Sequence, residues 1–265
     1  MNTILLKKDM NRIDQLFKKK GKNILSIYFT AGYPNRDDTV KVIETLERHG
    51  VDILEIGVPF SDPMADGPVI QASGTRALEN GMSVKLLFEQ LEGIRERVSI
   101  PLVLMGYLNP ILKFGFERYC ENAARCGVDG LIIPDLPFAE YRESYKSIAE
   151  KYGLHMIMLI TPETSEERVR MIDEYTNGFI YMVSSASVTG AKDAFSDENL
   201  AYFRRINNMQ LRNPRLIGFG ISNKGTFDAA CQEASGAIIG SKFVSLLGSE
   251  PSIEAAITKL REILY

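Results

Sequence analysis

Glu55 is the lone carboxylate in an otherwise apolar run, Ile53-Leu54-Glu55-Ile56-Gly57-Val58. Burying an unpaired charge is unfavourable, so a carboxyl held there shifts its pKa upward and can donate or accept a proton near neutral pH. The same spacing also allows a plain ion pair with a lysine or arginine from a neighbouring strand. The next segment, Pro59-Phe60-Ser61-Asp62-Pro63-Met64-Ala65-Asp66-Gly67-Pro68, adds two carboxylates and is stiffened by three prolines. A stiff polar loop can hold an acid over a pocket, although Asp before Pro or Gly is also ordinary turn chemistry.

A second kind of chemistry is written near the C-terminus. Two strand-like runs end in Gly218-Phe219-Gly220-Ile221-Ser222 and in Ile239-Gly240-Ser241-Lys242, and Val188-Thr189-Gly190-Ala191 follows a third. Glycine at a strand end lets backbone N–H groups approach an anion, and the helix that follows adds its positive dipole. Two such turns in successive units predict a phosphate site. Absences narrow the rest. The two histidines, His49 and His155, fall at the opposite ends of their units from the predicted site, which disfavours a histidine-built metal centre. No lysine lies within a strand-like run, which disfavours a strand-borne Schiff base; Lys192 and Lys242 fall in loops. There is no Ser-His pair. What survives is general acid–base chemistry by carboxylates on a phosphorylated substrate.

The elements that must position these groups alternate. Short runs apolar on both faces occur at 24–30, 52–58, 102–107, 130–134, 155–160, 178–184, 216–219 and 236–240, as expected for parallel strands covered on both sides. Helical spacing fills the gaps. Val40, Ile43 and Leu46 share one face, Leu86, Leu87, Leu91 and Ile94 another, and Tyr119, Ala123 and Cys126 a third. A last amphipathic segment runs from Ser252 to the C-terminus. Ahead of the first strand, Ile13, Leu16 and Phe17 predict an extra N-terminal helix ending at Lys18-Lys19-Lys20-Gly21. Arg48-His49-Gly50-Val51-Asp52-Ile53-Leu54 recurs as Arg125-Cys126-Gly127-Val128-Asp129-Gly130-Leu131, a helix stopping at Gly and entering a strand almost at once. Alternation allows an open doubly wound sheet or a closed ring. Eight strands in 265 residues favour an α/β fold of the (β/α)8 TIM-barrel type, one domain over 1–265, with ligand chemistry at the strand C-terminal ends. The net charge of −3 excludes a basic nucleic-acid binder, and 45% hydrophobic residues exclude disorder. The longest charge-free stretch, 175–191, is too polar to span a membrane, and the N-terminal apolar run is too short for a signal peptide. Three cysteines without a C-x-x-C pair fit small buried side chains in the cytoplasm.

The segment Leu54 to Pro68 resembles the signature of the tryptophan synthase alpha chain family almost throughout. Phe29-Thr30-Ala31-Gly32-Tyr33-Pro34, Asp135-Leu136-Pro137, Val188-Thr189-Gly190, Gly218-Phe219-Gly220-Ile221-Ser222 and Gly240-Ser241 match the family in the same order. The resemblance implies a lyase of tryptophan biosynthesis that cleaves indole-3-glycerol phosphate reversibly, by a retro-aldol reaction, into indole and glyceraldehyde 3-phosphate. It implies no cofactor in this chain, and a beta-chain partner that carries pyridoxal phosphate, receives the indole through a tunnel and forms an α2β2 tetramer. Glu55 then matches the principal acid/base, Asp66 the carboxylate that accepts from the indole N–H, and Tyr181 an active-site tyrosine that could also be plain core packing. Gly190, Gly220, Gly240 and Ser241, with Phe219 and Ile221, match the phosphate cradle. Tyr28, Ile70 and Tyr107 are candidates for the indole pocket or for barrel filling. Pro59, Phe60, Asp62, Pro63, Asp135 and Pro137 resemble the face that docks on the beta chain. The chain departs from many members at Ser187, where they place Gly, and at Ser185, where some place Arg, both in a small polar loop suited to closing over substrate. Alternatives are a regulatory subunit that activates the beta chain, a stand-alone indole-releasing lyase, or another phosphate-binding barrel such as an epimerase.

Overall fold

The apolar runs pair side by side in a computed structural model, which describes residues 10–184 and 194–265. The strands are β1 Ile24–Thr30, β2 Ile53–Gly57, β3 Leu102–Met105, β4 Gly130–Ile132, β5 His155–Ile157, β6 Leu159–Ile160, β7 Ile180–Val183, β8 Arg215–Gly218 and β9 Gly236–Ile239. All pairings are parallel, in the order β5-β4-β3-β2-β1-β9-β8-β7-β6. The two edge strands of that order are consecutive in the chain, separated by Met158 alone. The expected run 155–160 is therefore one stave broken in two: β5 pairs with β4, β6 pairs with β7, and covalent continuity closes the ring. Nine strand segments thus make eight staves with helices between them, the TIM-barrel architecture.

Alternation along the strands separates two packed regions. One face of each strand meets the helices: Leu25, Ile27 and Phe29 of β1 and Leu54 and Ile56 of β2 join Leu46, Leu91, Phe243 and Leu260 in the outer shell. The other face fills the lumen with Ile24, Ile53, Val103, Ile132, Ile157, Phe179, Tyr181, Val183, Leu216 and Ile238. β1 departs from the two-sided apolar pattern expected of it. Its lumen row reads Ile24, Ser26, Tyr28, Thr30, three polar side chains on one face.

The predicted N-terminal helix forms over Arg12–Lys19 and plugs the N-terminal end of the ring. Ile13 is fully buried there, and a Cβ at Gly130 would lie 3.2 Å from its Cδ1, so the glycine leaves room for the plug. Asn11 caps the helix and also donates to the carbonyls of Asp129 (2.8 Å) and Gly153 (3.2 Å). Arg12 pairs with Asp129 at 3.0 Å, and Asp14 meets His155 at 2.9 Å.

The internal repeat has a structural meaning. Asp52 and Asp129 each sit at a strand entrance and reach back to an N–H at the start of the preceding strand. Asp52 accepts from the Leu25 N–H at 2.8 Å, and Asp129 accepts from the Leu102 N–H at 2.9 Å. Each also binds a cation, Lys20 at 2.6 Å and Arg95 at 2.5 Å respectively. Elsewhere the helical face expected through Leu86, Leu87, Leu91 and Ile94 is shorter than its spacing suggests. The helix Val84–Leu91 ends before Gly93, whose φ of 70° breaks it, and Ile94 belongs to a separate 3-10 turn. The three cysteines are free and buried; burial pushes the Cys120 thiol up to about 12 and the Cys231 thiol to about 11. No helix among the described residues is long and apolar enough to cross a membrane.

Asp129 is 3% exposed and holds two guanidiniums, whereas Asp52 is 13% exposed and holds one ammonium. Asp129→Ala leaves the largely buried Arg95 guanidinium without its counterion and should lower unfolding free energy by about 3 kcal/mol. Asp52→Ala should cost about 1 kcal/mol. Urea titration of both variants checks the ranking; equal losses would show that the repeat carries no such asymmetry.

Candidate active site

Position on β2 decides the environment of Glu55. Its neighbours Leu54 and Ile56 pack outward, so period-two alternation turns its side chain into the lumen. There it is wholly buried. Oε1 accepts from the Ser26 hydroxyl at 2.7 Å, and Oε2 has no hydrogen-bond partner. Among the described residues no lysine or arginine pairs with it, so the ion-pair alternative does not hold. Burial raises its pKa to about 8, with the Ser26 hydroxyl pulling the other way. A carboxyl so placed can hold its proton at neutral pH and still release it.

Asp66 comes from the loop after β2 and is held by turns within that loop. Its N–H donates to the Pro63 carbonyl at 3.1 Å, and its own carbonyl accepts from Gln71 at 2.8 Å. Its carboxyl accepts from the Tyr107 hydroxyl at 3.0 Å, and that hydroxyl accepts from the Ala65 N–H at 2.9 Å. The tyrosine thus locks the loop and orients the acid at once. Partial burial raises the Asp66 pKa to about 6, and the Tyr107 hydrogen bond restrains the rise.

Two tyrosines complete the polar lining. Tyr28 stands beside Glu55 in the β1–β2 register, and a Cβ on Gly57 would overlap its hydroxyl. Tyr181 is 5% exposed and lies across Gly218 in the same manner. Burial raises both phenols above their ordinary value, and the negative charge of Glu55 and Asp66 raises them further. Both stay neutral. They face the carboxyl as hydroxyl dipoles instead of charges.

The glycine-rich turns leave adjacent strands, β8 and β9, on the same end of the ring. After β8 the backbone is left-handed at two successive residues, Phe219 (φ 68°) and Gly220 (φ 75°). The Ser184 hydroxyl donates to the Phe219 carbonyl at 2.8 Å and ties this turn to the end of β7. The two following helices differ. Lys224–Glu233 is closed by a reciprocal cap between Asn223 and Thr226, so its first turn already has an acceptor. Ser241–Ser249 starts at Gly240 with no side-chain cap, which leaves its N-terminal N–H groups for an anion. Of the two helix starts expected to bind phosphate, the second is the one whose first turn lacks a side-chain acceptor.

Glu55, Tyr181 and Tyr28 therefore meet in the lumen, with Asp66 and Tyr107 above the end of β2. Phe219, Gly220, the buried Ile221, Gly240 and the exposed Ser241 sit at the ends of β8 and β9. Ile70 lies in the first turn of the helix Pro68–Glu79, its carbonyl accepting from Ser73. Gly190, Ser185 and Ser187 lie outside the described residues. Phe60 packs on Tyr107 with ring centroids 5.4 Å apart, and Asp135 accepts from the Leu108 N–H at 2.8 Å. Pro59 and Pro63 are partly exposed on the same rim, and Asp62 and Pro137 are exposed. One contributor escapes the sequence reading, Ser26, which the period-two row Ile24, Ser26, Tyr28 would have signalled. Among the described residues no cluster of three or more His, Cys, Asp or Glu is placed to hold a metal ion.

The family model of the tryptophan synthase alpha chain matches residues 15–264. The chain belongs to that family. The tryptophan synthase alpha chain of Bacteroides thetaiotaomicron is 64% identical over 255 residues, covering 96% of this chain and all of that one. That of Parabacteroides distasonis is 61% identical over 255 residues, covering 96% of this chain and 99% of that one. Among solved structures, tryptophan synthase subunit alpha from Legionella pneumophila superposes with a TM-score of 0.85 at 32% identity, covering 96% and 98% of the two chains. A chain of tryptophan synthase from M. tuberculosis superposes at 0.83 with 28% identity, covering 97% and 100%. As a tryptophan synthase alpha chain the protein is a lyase that cleaves indole-3-glycerol phosphate.

The raised pKa of Glu55 has a consequence for stability. An unfolded glutamate loses its proton near 4.5, whereas the folded one keeps it to about 8. Between those values the unfolded chain binds fewer protons, so this group lowers stability by about 1.4 kcal/mol for each pH unit of increase. Glu55→Gln removes that dependence. The stability difference between variant and parent, from urea titrations at pH 5, 6, 7 and 8, should widen steadily in favour of the variant; a constant difference would contradict the buried acid.

Proposed function

We propose that Glu55 is the acid and base of the cleavage. Carrying its proton at neutral pH, it protonates the indole ring carbon that bears the side chain. The resulting carboxylate then takes the proton of the neighbouring side-chain hydroxyl. That oxygen becomes the carbonyl oxygen of glyceraldehyde 3-phosphate, the carbon–carbon bond breaks, and its electrons return to the ring as indole leaves. Glu55 ends protonated, as it began. The observation that carries this reading is a wholly buried carboxyl with one oxygen unpartnered.

Asp66 accepts from the indole N–H and stabilises the positive charge that grows on that nitrogen, an interaction strongest in the transition state. Its fixed bond to Tyr107 supports this role. Tyr28, Tyr107 and Ile70 wall the indole, and Tyr181 closes the lumen below it. The phosphate rests on main-chain N–H groups of the 219–221 turn and on the helix start at Gly240 and Ser241, with Gly190 as a further donor. This chain works as one barrel domain over 1–265 with no cofactor of its own. Its partner is a beta chain that carries pyridoxal phosphate and takes the indole through a tunnel, in an α2β2 tetramer. The docking face comprises Pro59, Phe60, Asp62, Pro63, Asp135 and Pro137; Met64 in the same loop is 93% exposed, as a side chain reserved for a partner would be. Three unpaired cysteines support a reducing compartment, the cytoplasm.

Indole release from indole-3-glycerol phosphate, measured on the purified chain with and without a pyridoxal-phosphate beta chain, tests the reading. Glu55→Gln should lower kcat about 10³-fold while glycerol phosphate still binds. Asp66→Asn should lower it about 10²-fold. Near-parental turnover in the glutamine variant would remove Glu55 from the mechanism.

Tyr107→Phe tests the support of Asp66. Asp66 must be ionised to act, so activity should decline as pH falls through about 6. Losing the phenol's donor makes the carboxylate harder to form, so that decline should begin at higher pH in the variant. An unmoved acidic limb in kcat/KM would show that Tyr107 merely packs.

A further inference from the structure

Glu55 takes its hydrogen bond from the floor side of the lumen and not from its direct neighbour. In the β1–β2 register Tyr28 lies opposite Glu55, while Ser26 lies opposite Ile53, two residues toward the strand N-terminus. The donor is thus the diagonal partner, and the carboxyl leans back to reach it. Around Ser26 the lumen is lined by Ile24, Ile53, Val103, Leu216 and Ile238. A wholly buried hydroxyl in that apolar layer is out of place unless it is used, and it donates to Oε1 at 2.7 Å. Oε2 is left without a partner.

We propose that Ser26 is a positioning residue for the cleavage: its hydroxyl holds Oε1 of Glu55, leaves Oε2 to exchange protons with substrate, and stabilises the carboxylate that exists midway through the reaction. This rests on the reading of Glu55 as acid and base. The proton leaves Oε2 for the ring carbon and an equivalent proton returns from the substrate hydroxyl, so the serine gains and loses none. Between those transfers the carboxylate is a buried anion. The other ionisable groups that face it are Tyr28 from β1, Tyr181 from β7 and Asp66 from the loop after β2, while β3 presents Val103 beside it. The two phenols stay neutral and Asp66 is of like charge, so none supplies a cation. Ser26 is the donor that opposes burial of the charge.

Two effects follow from removing the hydroxyl. The resting acid keeps its proton to higher pH, and the carboxylate formed in the middle of the cycle is less stable. Ser26→Ala should therefore move the alkaline decline of kcat/KM upward by about one pH unit and lower kcat at pH 7 about tenfold. KM should stay at the parental value, because Ser26 lies below the substrate. Ser26→Thr keeps the donor and should restore both the limb and kcat. Ser26→Cys keeps the volume with a poor donor and should behave as the alanine variant; if alanine does not fold, the Thr and Cys pair decides. Indole-release profiles from pH 6 to 10, with Glu55→Gln alongside, separate the outcomes. A loss of kcat with the alkaline limb unmoved, or a parental profile in Ser26→Ala while Glu55→Gln is dead, overturns the role of Ser26. A glutamine variant that still turns over instead overturns the reading of Glu55.

Discussion

A carboxyl enclosed by a ring of parallel strands cannot be solvated, and the organisation of this site follows from that constraint. Water would hydrate the charge of Glu55 freely, but the closed lumen offers it one serine hydroxyl and two neutral phenols. Closure comes from covalent continuity across Met158, which joins the two ends of the strand order. An open sheet of the same strands would leave an edge, and water would reach the carboxyl from it. Barrel geometry and proton chemistry are therefore one problem. The glycines at 57 and 218 belong to it too, because only a missing side chain lets Tyr28 and Tyr181 lie flat across the lumen beside the acid.

Charge is handled in opposite ways at the two ends of the ring. At the N-terminal end, Asp129 sits between Arg12 and Arg95 and accepts the first N–H of β3, while Asp52 serves β2 and β1 alike with Lys20 as its cation. These carboxylates are paired, fixed and structural. At the C-terminal end the donors to Glu55 and Asp66 among the described residues are hydroxyls, and their pKa values rise to about 8 and about 6. Stability at one end and reactivity at the other is the division of labour expected of this architecture. Here it reduces to whether a carboxylate is given a guanidinium or a hydroxyl.

How much of this could be read in the residues depends on whether the signal was local. Glu55 stood out because every neighbour on its strand is apolar, and the repeat at Asp52 and Asp129 stood out because helix stop and strand start are adjacent in the chain. What the repeated aspartates do is not local: each reaches a strand 27 residues away. The break at Met158 is invisible in an unbroken apolar run, since it arises from how two halves of one stave meet different neighbours. The face through Leu86 and Leu91 ran on to Ile94 because the spacing ignores Gly93, whose positive φ ends the helix first. At the two glycine-rich turns, composition pointed to both helix starts alike. Only the cap between Asn223 and Thr226, a matter of side-chain geometry, shows that one of them is already satisfied. Ser26 was passed over because a serine in a strand is unremarkable until its hydroxyl is seen to meet Glu55.

Separate pKa values for two carboxyls, close enough that the same tyrosines feel both, are what the proposed cleavage demands. In that proposal one group holds a proton at the start and the other is an anion throughout, at one pH. Depth supplies the difference. Glu55 is wholly buried under its single donor, whereas Asp66 sits at the edge of the lumen on a loop that prolines and the Tyr107 hydroxyl keep from moving. A cation near either would collapse the distinction by turning that carboxyl into another paired ion like Asp129. Among the described residues no lysine or arginine pairs with either acid, so on the proposed reading a phosphate at the ends of β8 and β9 would draw its positive potential from backbone N–H groups, leaving the two carboxyls undisturbed.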